Sequence, residues 1–240
     1  MSGRRGRLLQ VHDRLLAAYG PQRWWPGETP FEVIVGAILT QSAAWTNAER
    51  ALANLRRAGA LSPAGLIAIG EGELAALIRP SGFFNAKARS LKALADLLRD
   101  RYGGDIGRLL RTPGAPLRTL LLATHGIGPE TADAIVLYAA GRPSFVIDAY
   151  TRRTFSRLGL TPARDTYEDW RRLFMDNLPA DAPLFNEYHA LIVRHGKEAC
   201  RKRPLCARCP LLDLCPTGSP SLPRRVGVRL RPANHPGGSG

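Results

Sequence analysis

No stretch of this 240-residue chain approaches the roughly 18 consecutive apolar residues that a membrane-spanning helix needs. Its first twenty residues, "MSGRRGRLLQVHDRLLAAYG", are amphipathic, with charges inside any would-be apolar centre, so they read neither as a span nor as a leader. The expectation is a soluble, cytoplasmic protein. Lysine is scarce: Lys87, Lys92, Lys197 and Lys202 are the only four among 34 basic residues, and arginine supplies the rest. Lysine alone of the two can act as an amine nucleophile, so few positions could form a Schiff base. Alternating strand patterns and internal repeats are missing as well. Cysteine is confined to four positions within one short segment, whereas a disulfide framework would spread such residues across a small secreted chain.

What is present is positive charge and helical periodicity. The formal net charge is +14, the footprint of a polyanion binder, and nucleic acid is the leading partner. At 45% hydrophobic the chain can build one large core or two modest ones. Apolar residues recur at helical spacing, as in Leu8, Val11, Leu15 and Tyr19, or Leu91, Leu94, Leu97 and Leu98. Breakers such as "GPQRWWPGETP", "LSPAG", "YGGD", "RTPGAP" and "LPADAP" cut the chain into about ten short helices, an all-α pattern. From about Thr217 the sequence becomes rich in Pro, Gly and Arg with no apolar period, and residues 217–240 are expected to form a basic, disordered tail.

The cysteines, Cys200, Cys206, Cys209 and Cys215, lie in "CRKRPLCARCPLLDLC". Metal binding suits such a cluster, but one Cys-x-x-Cys pair flanked by single cysteines leaves zinc and an iron-sulfur cluster both open. With the preceding "YHALIVRHGKEAC" the segment resembles the C-terminal cysteine loop of the endonuclease III superfamily of DNA glycosylases. Its first arm is one residue shorter than that family's usual pattern. The resemblance implies a structural [4Fe-4S] cluster held by the four cysteines, with Arg201, Lys202 and Arg203 presented to DNA phosphates.

A second segment, "THGIGPETADAIVLYAAG", resembles the helix-hairpin-helix of the same superfamily. Gly126 and Gly128 can adopt positive φ and leave no side chain between backbone N–H groups and a phosphate. Pro129 then opens a helix whose N-terminus favours anions. In "RPSFVIDAYTRRTFSRLGL" the resemblance gives Asp148 the catalytic carboxylate, and its place before an apolar-periodic helix also makes it an N-cap. An ionised carboxylate beside the deoxyribose C1′ can stabilise an oxocarbenium-like transition state and orient water. Family members that also cleave the backbone carry a lysine two residues after the second glycine. Here that residue is Glu130, which cannot form an imine, so the resemblance implies a monofunctional glycosylase.

"WWPGETPFE" and "AILTQSAAWTNAERA" look like the branch that excises alkylated purines such as 3-methyladenine. That likeness implies a base pocket lined by Trp24, Trp25, Pro26 and Trp45, although core packing is the ordinary role of tryptophan. Purines alkylated at a ring nitrogen are cationic, and indole faces beside Glu130 and Asp148 would favour them. Endonuclease III-type action on oxidised pyrimidines, removal of mismatched thymine or uracil, and a non-catalytic DNA-binding relative stay open as alternatives. Gln41 and Phe83 match the two loops that the family inserts into DNA when a base is flipped. The expected architecture is the two-lobed all-α glycosylase fold: residues 28–140 as a central helical domain with the hairpin, and residues 1–27 plus 141–216 as a second lobe with the cluster. The expected partner is double-stranded DNA containing a damaged base, bound by a monomer.

Overall fold

Side-chain caps set five of the twelve α-helix starts among the described residues. Thr29, Ser62, Asp105, Asp148 and Thr166 each accept a backbone N–H three residues on, and Pro30 and Pro63 occupy the first helical position after two of them. The computed structural model describes residues 3–22, 24 and 27–219, and every regular element among these is helical. In chain order they are α1 (Arg4–Tyr19), α2 (Pro30–Leu39), α3 (Trp45–Arg57), α4 (Pro63–Ala68), α5 (Glu71–Leu77) and α6 (Phe84–Tyr102). There follow α7 (Ile106–Arg111), α8 (Gly114–Leu122), α9 (Pro129–Ala134), α10 (Ala149–Arg157), α11 (Tyr167–Met175) and α12 (Ala182–Glu198). The sequence pattern merges some of these because a break such as Ile69–Gly70 between α4 and α5 carries no proline. Nearly all of the basic tail, from residue 220, lies outside the described residues, as do Trp25 and Pro26.

Two groupings of helices meet near the hairpin. α2 packs on α3, on α6 and on the π-helical turn Ile135–Ala139 that continues α9, while α1 and α10 pack on α12. The N-terminal helix thus joins the C-terminal ones, and the Tyr188 hydroxyl secures it by donating to Leu8 O at 2.6 Å. The core around α10–α12 is aromatic: Phe145 stacks on Phe174 at 4.0 Å, with Phe185 and Tyr188 edge-on to Phe145. Leu8, Leu15, Ile34, Ile38, Leu91 and Leu94 belong to the same continuous buried cluster.

One buried charge ties these parts together. Asp133 is 0% exposed and pairs with Arg118 of α8 at 2.8 Å and with Arg171 of α11 at 3.1 Å. The Ser144 hydroxyl donates to the same carboxylate, and Arg118 also reaches Glu168. Removing one partner of such a network leaves an uncompensated buried charge. Asp133→Ala is therefore expected to lower the unfolding free energy by about 3–5 kcal/mol in chemical denaturation. Half-exposed Glu168 replaced by alanine should cost no more than about 1 kcal/mol.

Candidate active site

The hairpin is built by α8, the turn after it, and α9. Ile127, between the two glycines, is buried and anchors the turn. Both glycines can adopt positive φ, but only one of them does. Gly126 has φ +77°, and a Cβ there would come within 1.8 Å of Ser90 Oγ on α6. Gly128 has φ −83° and ψ 175°, an extended conformation any residue adopts, and a Cβ would meet open space. Gly126 is thus required by packing and backbone, whereas Gly128 only keeps the surface bare. Gln41 is drawn into the same turn: its Nε2 donates to Gly126 O at 3.0 Å and to Thr131 Oγ1 at 2.8 Å.

Asp148 caps α10 through its Oδ1, which accepts the Thr151 N–H at 2.7 Å. Burial works to raise its carboxyl, but His189 and the Thr151 amide outweigh burial and hold it below the usual carboxylate range. Glu130, in the first turn of α9, faces Asp148. Glu130 is exposed as a residue, but partial desolvation of its carboxyl first, and the Asp148 charge second, push it up. The two acids are driven in opposite directions, Asp148 held below and Glu130 raised above the usual carboxylate value.

The third member of the site is His189 of α12, for which no partner was visible in sequence: it is one of several polar positions on a long helix. Its Nε2 lies 3.6 Å from Asp148 Oδ2, and its Nδ1 is hydrogen-bonded to the Tyr138 hydroxyl at 2.5 Å. Tyr138 projects from the π turn of α9, a distortion common at functional sites. Burial, then the Asp148 charge, pushes its phenol well above the ordinary tyrosine range. Trp24 stacks on His189, centroids 5.8 Å apart and planes at 17°, and also reaches Tyr138. Of the aromatics expected to line a base pocket, Trp24 therefore belongs to the Asp148 group. Trp45, the first residue of α3, is seated against Gly36 of α2, with its Nε1–H donated to Glu49 Oε1.

Phe83 is 72% exposed and has φ +47°, a left-handed conformation rare for a bulky side chain. Ser42, next to Gln41, has φ +51°, and these are the only two non-glycine residues with positive φ among those described. Both loops are joined by Lys87. Its buried Nζ donates to Leu39 O at 2.8 Å, at the end of α2, and to Ser81 O at 2.6 Å, before Phe83. Lys92 is likewise consumed, donating to the carbonyls of Leu66, Ile67 and Ile69 at the end of α4.

The four cysteines are unpaired and line one small enclosed cavity with Arg157, Pro204, Thr217 and Gly218. Among the described residues no set of side chains converges closely enough to hold a single metal ion. A multi-iron cluster spreads its thiolates more widely, and the donors around the cavity suit sulfur ligands. Arg157 donates to Cys200 Sγ at 3.3 Å, and His195 Nε2 lies 3.8 Å from Cys209 Sγ. Burial pushes the His195 imidazole down to about 4, so it is neutral. Arg157 also donates to Arg201 O and Lys202 O, which holds the arm while the side chains of Arg201, Lys202 and Arg203 stay exposed.

Against known proteins, the sequence profile of the HhH-GPD superfamily base excision DNA repair proteins matches residues 35–180. A candidate DNA repair glycosylase of Methanocaldococcus jannaschii is 45% identical over 210 residues, covering 87% of this chain and 95% of that one. A trapped endonuclease III–DNA covalent intermediate shares the fold, with a TM-score of 0.77 at 24% identity, covering 89% of this chain and 96% of that one. The H. pylori 3-methyladenine DNA glycosylase bound to 1,N6-ethenoadenine has a TM-score of 0.70 at 26% identity, covering 81% and 97% respectively.

The unequal glycines make a paired test. Gly126→Ala is expected to lower the melting temperature by several degrees, because it combines a left-handed alanine with a clash at Ser90. Gly128→Ala should leave the melting temperature unchanged and weaken binding to undamaged duplex DNA, measured by fluorescence anisotropy.

Proposed function

This chain belongs to the HhH-GPD superfamily of base excision DNA repair proteins and is a DNA glycosylase of that group, and we propose that it is monofunctional. Water is the nucleophile, and the product is an abasic site with the strand intact. The observation that carries this reading is the pairing of Glu130 with Asp148 in a site to which neither Lys87 nor Lys92 can contribute an amine. Both are held by backbone carbonyls elsewhere. Lys202 is exposed in the cysteine loop, and Lys197 stands eight residues beyond His189 on α12, roughly 12 Å along the helix axis.

In the proposed reaction the target nucleotide is flipped toward the Asp148 group. Phe83, already exposed on a strained loop, enters the duplex as an apolar wedge, and Gln41 leaves the hairpin to fill the vacated space. As the N-glycosidic bond breaks, its electron pair departs with the base and positive charge grows on the sugar. Asp148, held ionised, stabilises that charge and takes a proton from the attacking water as the C1′–O bond forms. Gly126, Gly128 and the N-terminus of α9 grip a phosphate of the backbone, and DNA lies across the face shared by residues 28–140 and the second lobe. The four cysteines hold a [4Fe-4S] cluster, which supplies rigidity to the loop bearing Arg201, Lys202 and Arg203.

For the base, the reading is an alkylated purine. Trp24 beside an ionised Asp148 offers a cationic ring an aromatic face and a negative field. The similarity over 97% of the H. pylori 3-methyladenine enzyme supports the same class. A second reading, mismatched uracil or thymine, is favoured by Glu130: a carboxyl pushed toward its neutral form can donate and accept hydrogen bonds along an uncharged imide edge. The branch's other pocket positions, Trp25, Pro26 and Trp45, add less, the first two lying outside the described residues and Trp45, the first residue of α3, being packed on α2.

The test incubates the enzyme with duplexes carrying methylated purines, thymine glycol, uracil or a mismatch, and detects free base with and without alkali. Free alkylated purine with strand breaks only after alkali is the expected result. Breaks without alkali, or a product trapped by borohydride, would sink the monofunctional reading. Asp148→Asn should abolish base release while leaving DNA affinity nearly unchanged.

A further inference from the structure

Nothing in the reaction above uses His189, yet it is the group that most constrains Asp148. The imidazole is 5% exposed, with Trp24 stacked on its face. Its Nε2 is buried and makes no hydrogen bond of ordinary length. A buried ring nitrogen left in that state carries a desolvation cost, so its orientation calls for a reason. Two neutral tautomers are open to it. With the proton on Nδ1, the Nε2 lone pair would face an anionic oxygen 3.6 Å away and repel it. With the proton on Nε2, the N–H dipole points at Asp148 Oδ2, and Nδ1 is free to accept the Tyr138 O–H at 2.5 Å. Only the second arrangement satisfies both neighbours.

We propose that His189 is a positioning residue for base excision, donating its Nε2–H to Asp148 Oδ2 in the substrate complex, with Tyr138 fixing the tautomer and Trp24 fixing the ring plane. The inference rests on the assignment of Asp148 as the carboxylate that serves the sugar. Thr151 already holds Oδ1. A donor on Oδ2 stops the carboxylate from rotating, so that its charge is preorganised where sugar charge develops. The 3.6 Å separation of the free protein is of the kind that tightens only when substrate is bound. No proton is transferred along the chain: the water proton ends on Asp148. The groups facing Asp148 are Glu130 from α9, Tyr138 from the π turn, His189 from α12 and the Thr151 amide of its own helix, with Arg152 close to Glu130. Of these, His189 and Thr151 oppose the effect of burial and keep the carboxylate ionised. Deleting the imidazole removes the larger of the two.

The test is single-turnover base release against pH for wild type, His189→Leu, His189→Gln and Tyr138→Phe. His189→Leu should slow release by on the order of 10–100-fold, the scale on which outer partners of functional groups act. The acid limb of its rate profile should also move to higher pH, because a carboxyl raised by burial must lose its proton before it can work. Glutamine, whose amide N–H can occupy the Nε2 position, should recover part of the rate and pull the limb back. Tyr138→Phe should give a smaller loss of the same kind, and affinity for undamaged duplex should not change in any variant. A His189→Leu enzyme with wild-type rate and acid limb, or a glutamine variant no better than leucine, would overturn the proposal. Nitrogen-15 NMR of the imidazole in the free protein is expected to report the Nε2–H tautomer, and an Nδ1–H tautomer would equally overturn it. That measurement needs no substrate. It therefore judges His189 independently of whether Asp148→Asn abolishes base release.

Discussion

A carboxylate with no exposure to solvent must find its counter-charges in the protein, and Asp133 finds two. Arg118 comes from the helix before the hairpin and Arg171 from the helix after α10, so the pairing joins three separate parts of the chain. Ser144, which donates to the same carboxylate, opens the short segment that ends at Asp148. Asp133 stands one helical turn beyond Glu130 on α9. The network thereby sets the distance between the hairpin and the segment carrying the second acid. Were it absent, Glu130 and Asp148 would be two acids on separately moving pieces, and their opposite electrostatic shifts would have no fixed geometry to act through.

Within that frame the site separates two carboxyls by environment. Asp148 is buried but receives an amide N–H and faces an imidazole, and the donors win over burial. Glu130 is exposed at the surface, yet partial desolvation of its carboxyl and the anion beside it act in the same direction. Under the proposed function this division leaves one group ionised for the sugar and the other able to hydrogen-bond a base. The scarcity of lysine belongs to the same logic. Lys87 and Lys92 sit over the carbonyls at helix ends, where a cation offsets the unsatisfied oxygens and the helix dipole. They serve as architecture. Lys87 does so between the Gln41 and Phe83 loops, whose left-handed residues need an external tie to stay in place.

Features that depend on neighbours in sequence were legible before any coordinates. The all-α class followed from apolar spacing and breakers, and the Asp148 cap from an acid standing before a periodic helix. The hairpin was legible through its resemblance to the family motif beside the cysteine loop, since a Gly-x-Gly turn alone is equally an ordinary glycine-capped helix turn. Even there the reading went too far at one point. It treated Gly126 and Gly128 alike, whereas Ser90 of α6 crowds only Gly126, and a residue of another helix cannot be inferred from the turn itself. Trp45 is hard to read for the same reason. A tryptophan near a pocket motif and a tryptophan packed on the neighbouring helix have the same local sequence.

Spacing, capping residues and the acid in place of lysine are covalently local, and the sequence alone determined them: which helices form, where the hairpin turns, and that an amine is missing two residues past Gly128. The relation of His189 to Asp148 was decided only by tertiary structure. Tyr138 and His189 are 51 residues apart, and they meet because a π turn rotates Tyr138 toward α12 while the aromatic core of Phe145, Phe174 and Tyr188 presses α12 against the hairpin helices. A histidine has no identity as a donor until its neighbours assign its proton, and those neighbours are brought to it by packing.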